Sequence, residues 1–268
     1  MEPVPSEMQS DSTDPALPAL FLFAHHDDEI FISATLQLLA GRGDVSAVWV
    51  TRGGLHGGKR EAESRRAMDI LGVDPQRQHF FRLADGRALD YADEVISRLT
   101  RLILRLKPAS VFVPAFEGGH PDHDIVQLAA AEAIRRGAVD KSGARRRPAL
   151  YEFPLYNRCA TRFISVGEFI PDATPTLRTA VKLRDRLIRR KLMITFRSQR
   201  PITWPLLGFK GGPMMLHHAG EPYRRVPAER DYAVRPHPGR LAYEFYTPVR
   251  FGRFAEKAAL LQAERRRN

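Results

Sequence analysis

Two short stretches carry the side chains that could do chemistry. The first is Ala24-His25-His26-Asp27-Asp28-Glu29, two imidazoles followed by three carboxylates. The second is Gly118-Gly119-His120-Pro121-Asp122-His123-Asp124. Burying such groups is costly unless something satisfies them, and a divalent metal ion does so. Neither stretch alone holds a full metal site. Together they offer two histidines and a carboxylate, the donor set of a catalytic zinc with open positions for water. Ferrous iron fits the same donors, so the metal is left open between the two. Asp27, Asp28 and Glu29 also suit the positive end of a helix dipole. Capping accounts for one acid, but not for two adjacent histidines and three acids in a row.

The flanking elements say how the stretches could meet. Leu20-Phe21-Leu22-Phe23 and Ser110-Val111-Phe112-Val113-Pro114 are short apolar runs, each read as a buried strand. Helical stretches follow, from Ile30 to Ala40 and from Ile125 to Arg136. Each polar stretch is therefore a loop between a strand and a helix, at the carboxyl edge where open α/β sheets bind ligands. Between them lie a strand at Val45–Val50, a helix from Lys59 to Leu71, a strand at His79–Leu83 and an amphipathic helix from Asp90 to Lys107. That helix would bury Val95, Ile96, Leu99, Leu102, Ile103 and Leu106. Gly72 reads as a C-terminal cap and Asp85-Gly86 as a turn. Alternating strands and helices predict an α/β fold with a mostly parallel sheet and the crossover loops on one edge.

Other segments are less decisive. Arg52 to Gly58 reads as a mobile glycine-rich loop and lacks the lysine and spacing of a phosphate-binding loop. It either contacts substrate or merely connects. Val139 to Pro148 reads as an exposed basic loop, and Leu150 to Tyr156 as a strand returning to the sheet. Thr176 to Arg197 reads as a helix crowded with Lys and Arg, either a solvated face or a surface for an acidic polymer or membrane. Pro201, Pro205, Gly208, Gly211, Gly212 and Pro213 imply irregular structure that could wall a cleft. Glu221 to Arg224 could rejoin the core, and Arg250 to Arg267 reads as a basic helix.

Composition bounds the function. The 268 residues, 43% apolar, suffice for one large α/β domain. Cys159 is the only cysteine, which excludes an internal disulfide and a cysteine-rich zinc site, and suits a reducing compartment. The net charge of +11 predicts anionic partners. Met1 to Pro18 is acidic and proline-bearing, reads as a disordered tail and lacks a secretory signal; no stretch is apolar enough to span a membrane. A soluble, cytoplasmic protein is expected.

The motifs resemble those of the PIG-L (LmbE-like) N-acetylglucosaminyl deacetylases. That family's Ala-His-Pro-Asp-Asp-Glu stands here as Ala24 to Glu29, with His26 in place of proline, and its His-Pro-Asp-His as His120 to His123. Thr51-Arg52-Gly53, the Arg60/Glu63 helix, Leu71-Gly72-Val73, Asp85-Gly86, Tyr151-Glu152 and Ser198-Gln199 fall in the family's order. The resemblance implies a Rossmann-like single domain over residues 19–268, with a Rossmann-like part at 19–157 and a C-terminal extension at 158–268 forming part of the cleft. It implies a metal held by His25, Asp28 and His123, with Asp27 as general base. His120 would stabilise the oxyanion and could protonate the leaving amine, with Asp122 holding its ring. Arg52, Arg60 and Asp85 are candidate sugar contacts. His26 would be a third imidazole beside the metal, either filling space or touching substrate.

The activity so implied is zinc-dependent removal of an N-acyl, foremost N-acetyl, group from an amino sugar or glycoconjugate, anionic ones among the candidates. The alternatives are an amidase on a thiol-sugar conjugate or lipoglycopeptide, and a non-catalytic binder of an anionic glycan or nucleic acid. No specific nucleic-acid motif accompanies the basic residues.

Overall fold

The computed structural model describes residues 15–137, 147–200 and 220–267. Its main sheet has seven strands: β1 (Ala19–Phe23), β2 (Val45–Thr51), β3 (Gln78–Leu83), β4 (Ser110–Pro114), β5 (Ala149–Phe153), β8 (Thr176–Thr179) and β9 (Glu221–Arg225). β6 (Tyr156–Asn157) and β7 (Ser165–Val166) form a small separate hairpin. The strand order is β3-β2-β1-β4-β5-β9-β8. The first five strands run parallel, and β9 and β8 pair antiparallel at one end. The sheet is thus mostly parallel, and the fold is Rossmann-like, as expected.

Chain order reverses between β1 and β4. The chain leaves β1 toward β2 on one side and later returns to place β4 on the other. The two following connections must diverge there, which opens a crevice at the carboxyl ends of the strands. Both histidine stretches sit on those ends. Their meeting is a consequence of topology.

Side chains alternate along each strand, so one sheet feeds two cores. Leu20 and Leu22 face α3 (Ala92–Leu106), α4 (Pro121–Arg136) and α7 (Phe251–Arg267). Phe21 and Phe23 face α1 (Ser33–Ala40), α2 (Gly57–Leu71) and α5 (Leu183–Thr195). On that second face Phe21 stacks on Phe112 with centroids 4.5 Å apart, an arrangement that adds about 0.5–1.5 kcal/mol beyond area burial. α3 buries the predicted Val95, Ile96, Leu99, Leu102 and Ile103, while Leu106 is half-buried. Gly72 caps α2 with φ of 83°.

Five expectations need correction. α4 starts at Pro121, not Ile125, because proline suits the first helical position, where no N–H is needed. The second histidine stretch is therefore largely the first turn of a helix. Thr176 to Thr179 is a strand, and α5 begins only at Leu183. β-Branched threonines and pairing with β9 override the helical reading there. Arg52 to Gly58 is not one loop: a short 3-10 turn covers Gly54–His56 and α2 starts at Gly57. Ile30 to Ala40 is split between a 3-10 turn at Asp28–Ile32 and α1. In the expected disordered tail, Pro18 is tied to the sheet through its carbonyl, which accepts from Ala109 N–H at 2.7 Å. Residues 1–14, most of the basic loop at 139–146 and the proline- and glycine-rich 201–219 lie outside the described residues.

Candidate metal centre and active site

Asp28 closes the first loop before it does anything else. Its Oδ2 accepts from the backbone N–H groups of Ala24 and His25, both at 2.9 Å. That leaves Oδ1 for the crevice. Across the crevice, His123 projects from the first turn of α4. Its Nε2 lies 3.3 Å from Asp28 Oδ1 and 3.0 Å from His25 Nδ1. The His25 Nδ1–Asp28 Oδ1 separation is 4.0 Å. A tetrahedral ion with bonds of about 2.0–2.2 Å would set its donors about 3.3–3.6 Å apart. The three measured separations straddle that range, so the residues present fit a divalent ion.

His25, His120 and Asp122 form a second close group. It fits an ion less well. His120 Nδ1 already accepts the Asp122 backbone N–H at 3.1 Å. Asp122 Oδ2 already accepts from Gly86 N–H at 2.6 Å, and Oδ1 from Ala88 N–H at 3.0 Å.

Asp122 holds the His120 ring through its backbone N–H, while its carboxylate is directed chiefly to His25. Its Oδ2 lies 3.1 Å from His25 Nε2 and 3.8 Å from His120 Nδ1. It therefore buttresses a proposed ligand. With Nε2–H donated to Asp122, His25 Nδ1 is the nitrogen free to face an ion. Burial works to lower the His25 pKa, but the Asp122 hydrogen bond and the charge of Asp28 outweigh it and hold the ring up at about 9. Burial likewise works to raise Asp28, and His123 and His25 outweigh it, so Asp28 stays ionised. Ion binding must displace the proton on His25, so uptake should weaken as pH falls. Asp122→Asn should weaken zinc affinity by about 10–100-fold, because partners of this kind have that effect on ligand histidines. Competition with a chromophoric chelator measures it; unchanged affinity would remove Asp122 from the metal's support.

Asp27 stands beside the cluster with backbone φ of 115°, outside the usual range for a residue with a Cβ. The cost of such a conformation is of order 1–3 kcal/mol, and it is met by surrounding contacts. Glu29, fully buried, accepts the Asp27 N–H at 2.9 Å and the Trp49 Nε1–H at 3.3 Å. Burial pushes the Glu29 carboxyl up to about 7. Burial also pushes the Asp27 carboxyl up, to about 8, against the opposing pull of Arg60. The Arg60 guanidinium lies 3.6 Å from Asp27 Oδ1, donates to the His26 carbonyl at 2.7 Å and lies 3.4 Å from Asp85 Oδ2. Asp85 Oδ1 in turn accepts from Gly53 N–H at 2.8 Å. Gly53 has φ of 87°, and a Cβ there would lie 2.6 Å from Arg60 Cδ. Arg60 and Asp85 thus lock three loops around Asp27. Arg52 is exposed and takes no part in this lock.

His26 is not beside the cluster. It is 1% exposed and turned away, with Nδ1 2.9 Å from Ser64 Oγ. Its ring stacks on Trp49 and Phe80 at 5.9 and 5.8 Å. Burial and the charge of Arg60 hold it neutral, with a pKa near 3. It fills space and cannot touch a substrate in the crevice.

His120 is the N-cap of α4. Burial and the nearby His25 hold its pKa well below the ordinary value. With Nδ1 accepting a backbone N–H, the neutral ring carries its proton on Nε2. Two tyrosines not read from the sequence complete this side. Tyr246, on the short helix α6 (Tyr243–Tyr246), lies 6.2 Å from the His120 ring and donates its OH to the Gly119 carbonyl. Tyr156 stands 5.6 Å from the His123 ring. The paired glycines were the available signal: a Cβ on Gly119 would lie 2.1 Å from the Tyr156 carbonyl oxygen.

The fold and this cluster define a Rossmann-like protein with a candidate two-histidine, one-carboxylate metal centre at its switch point. Residues 20–134 match the family described as GlcNAc-PI de-N-acetylase, PIG-L, and so the resemblance carried by the two histidine motifs holds over that segment. A search of curated protein sequences finds no match. The fold is similar to N,N'-diacetylchitobiose deacetylase from Pyrococcus horikoshii, with 20% identity and a TM-score of 0.57 over 78% of this chain and 84% of that one. It is similar to a zinc-inhibited form of teicoplanin deacetylase, with 18% identity and a TM-score of 0.57 over 78% and 98% of the two chains. It is also similar to a 4-carboxy-2-hydroxymuconate hydratase from Pseudomonas putida, with 17% identity and a TM-score of 0.50 over 77% and 93%. At such identities the likeness establishes the fold, and a fold shared with a hydratase leaves the chemistry to be argued from the site.

Proposed function

We propose that the protein is a metal-dependent hydrolase that removes an N-acyl group, foremost N-acetyl, from an amino sugar or its glycoconjugate. The observation that carries this reading is the convergence of His25 Nδ1, Asp28 Oδ1 and His123 Nε2 beside a carboxylate, Asp27, that takes no part in the cluster. Zinc is the first choice of ion, and ferrous iron fits the same donors. A divalent ion held there would act as a Lewis acid, lowering the pKa of a water to about 7 and polarising the acyl carbonyl.

The chain's own residues do the rest. Hydrolysis adds water across the amide C–N bond, so one proton must leave the water and one must reach the departing nitrogen. Asp27 accepts the first at its carboxylate. His120 donates its Nε2–H to the carbonyl oxygen as negative charge develops. A neutral ring with Nδ1 already bonded is a hydrogen-bond donor and not a proton source. The proton on the leaving amine therefore comes from Asp27. Arg60 and Asp85 position Asp27, and Arg52, exposed and in no ion pair among the described residues, is a cation available to substrate. The C-terminal extension contributes to the cleft through Tyr246.

The direct test is release of free amine from N-acetylglucosamine and its derivatives, with and without prior chelation. Amine released by the untreated protein and abolished by chelation is expected; no release from any N-acyl sugar by fully metallated protein would reject the reading. Two variants refine it. His120→Ala should lower kcat by about 10²–10³-fold with metal content unchanged, the usual cost of one oxyanion donor; a change confined to KM would contradict that role. Arg60→Gln removes the cation that pulls Asp27 down, so its pKa rises. A base works deprotonated, so the ascending limb of the kcat/KM pH profile should move to higher pH. A limb that stays in place would show that Arg60 does not tune Asp27.

A further inference from the structure

We propose that α5 and the cavity at its N-terminal end dock the protein on an anionic lipid bilayer. This goes beyond the catalytic reading and does not depend on it. α5 packs on the body through Arg189, Leu192 and the following Phe196, all buried. On a helix of 3.6 residues per turn, the opposite face holds positions 183, 187, 190 and 194. Three of them are large and apolar: Leu183 is 72% exposed, Leu187 58% and Ile194 46%. A stripe of this kind has no reason to face water.

Cations flank the stripe. Arg184 and Lys191 lie along one border, and Arg190 sits in the stripe itself. All three are exposed and form no ion pair among the described residues. Asp185 is the one acid between positions 182 and 200, and its Oδ2 accepts the Lys182 backbone N–H at 2.7 Å. Arg189 is taken up inside, by the buried Glu221. Beside the start of α5 is a cavity of about 900 Å³. Leu38 and Ile70 contribute apolar lining, and Arg42, Arg178, Lys182 and Arg184 bring positive charge. Leu38 is itself 42% exposed.

An apolar stripe bordered by Lys and Arg is the make-up of a helix that lies in the plane of a membrane interface. The charge calls for an anionic headgroup layer, and the leucines call for acyl chains beneath it. A nucleic acid would satisfy the cations but leave the leucines against phosphates and water. A second copy of this face would bury the leucines but set cations against like cations. The bilayer is the occupant that satisfies both. No helix among the described residues is long and apolar enough to cross a membrane, so the association would be peripheral.

The test is co-sedimentation of the full chain with phosphatidylcholine vesicles, with and without phosphatidylglycerol. The wild-type protein should bind the anionic vesicles and not the neutral ones. Leu183→Gln/Leu187→Gln, which leaves the net charge unchanged, should weaken partitioning at least about tenfold, and Arg184→Gln/Arg190→Gln/Lys191→Gln by about 10²-fold. All five side chains are exposed, so circular dichroism should show an unchanged fold. The proposal is overturned if the wild-type protein ignores anionic vesicles. It is also overturned if the leucine variant binds as tightly as wild type at the same ionic strength, because net charge alone would then be responsible. Light scattering that finds a dimer dissolved by the leucine substitutions would overturn it in favour of self-association.

Discussion

Asp27→Asn should lower kcat by about 10²–10⁴-fold, the range for loss of a positioned general acid or base, while leaving fold and metal content intact. Asparagine is the informative replacement. It matches aspartate in shape, and it tolerates a positive φ better than most side chains, which matters at a backbone φ of 115°. Alanine would mix chemistry with strain. The carboxylate is not needed for the three-donor cluster, and Glu29 holds the Asp27 N–H whatever side chain follows. The loss should therefore appear in kcat, with melting temperature and bound metal close to wild type. Steady-state kinetics beside elemental analysis reads both. Near-normal turnover would mean that another group takes the proton.

His123→Ala should abolish activity by removing the ion. The cluster spans two segments, and His123 is the donor of α4. Without it, His25 and Asp28 remain, two donors three residues apart on one loop. That leaves too few donors for a structural or catalytic zinc site, which takes at least three protein ligands. Alanine keeps the first turn of the helix, but it leaves a cavity where the buried ring stood, so circular dichroism should accompany the assay to show that the variant is folded. Activity should fall to the level of chelated wild-type protein, and added zinc should restore the wild type but not the variant.

Much of this site was legible in the sequence because the information is local. Leu20 to Phe23 and Ser110 to Pro114 declare themselves as buried strands by apolar content alone. The strand-to-helix position of each histidine stretch then places it on the sheet's carboxyl edge. What the sequence left open depends on contacts distant in the chain. Asp122 was read as the partner of His120, two residues away; its backbone N–H does bond that ring, but its carboxylate reaches His25, 97 positions back. His26 looked like an addition to the metal site because its neighbours are ligands. Side chains of consecutive residues diverge, and the aromatic slot of Trp49 and Phe80 takes this one. Thr176 to Thr179 read as helix because the charges beyond it are helical, and only the distant β9 makes it a strand. Tyr246 had no local signal at all.

His25 and His123, 98 positions apart in the chain, meet at 3.0 Å, and the proposed function needs one metal ion held between their two segments. The most direct measurement is elemental analysis of the wild-type protein and His123→Ala, both purified without chelators. About one equivalent of zinc or iron per wild-type chain and none in the variant is expected. No metal in the wild type even after reconstitution, or equal metal in both proteins, would contradict that shared site.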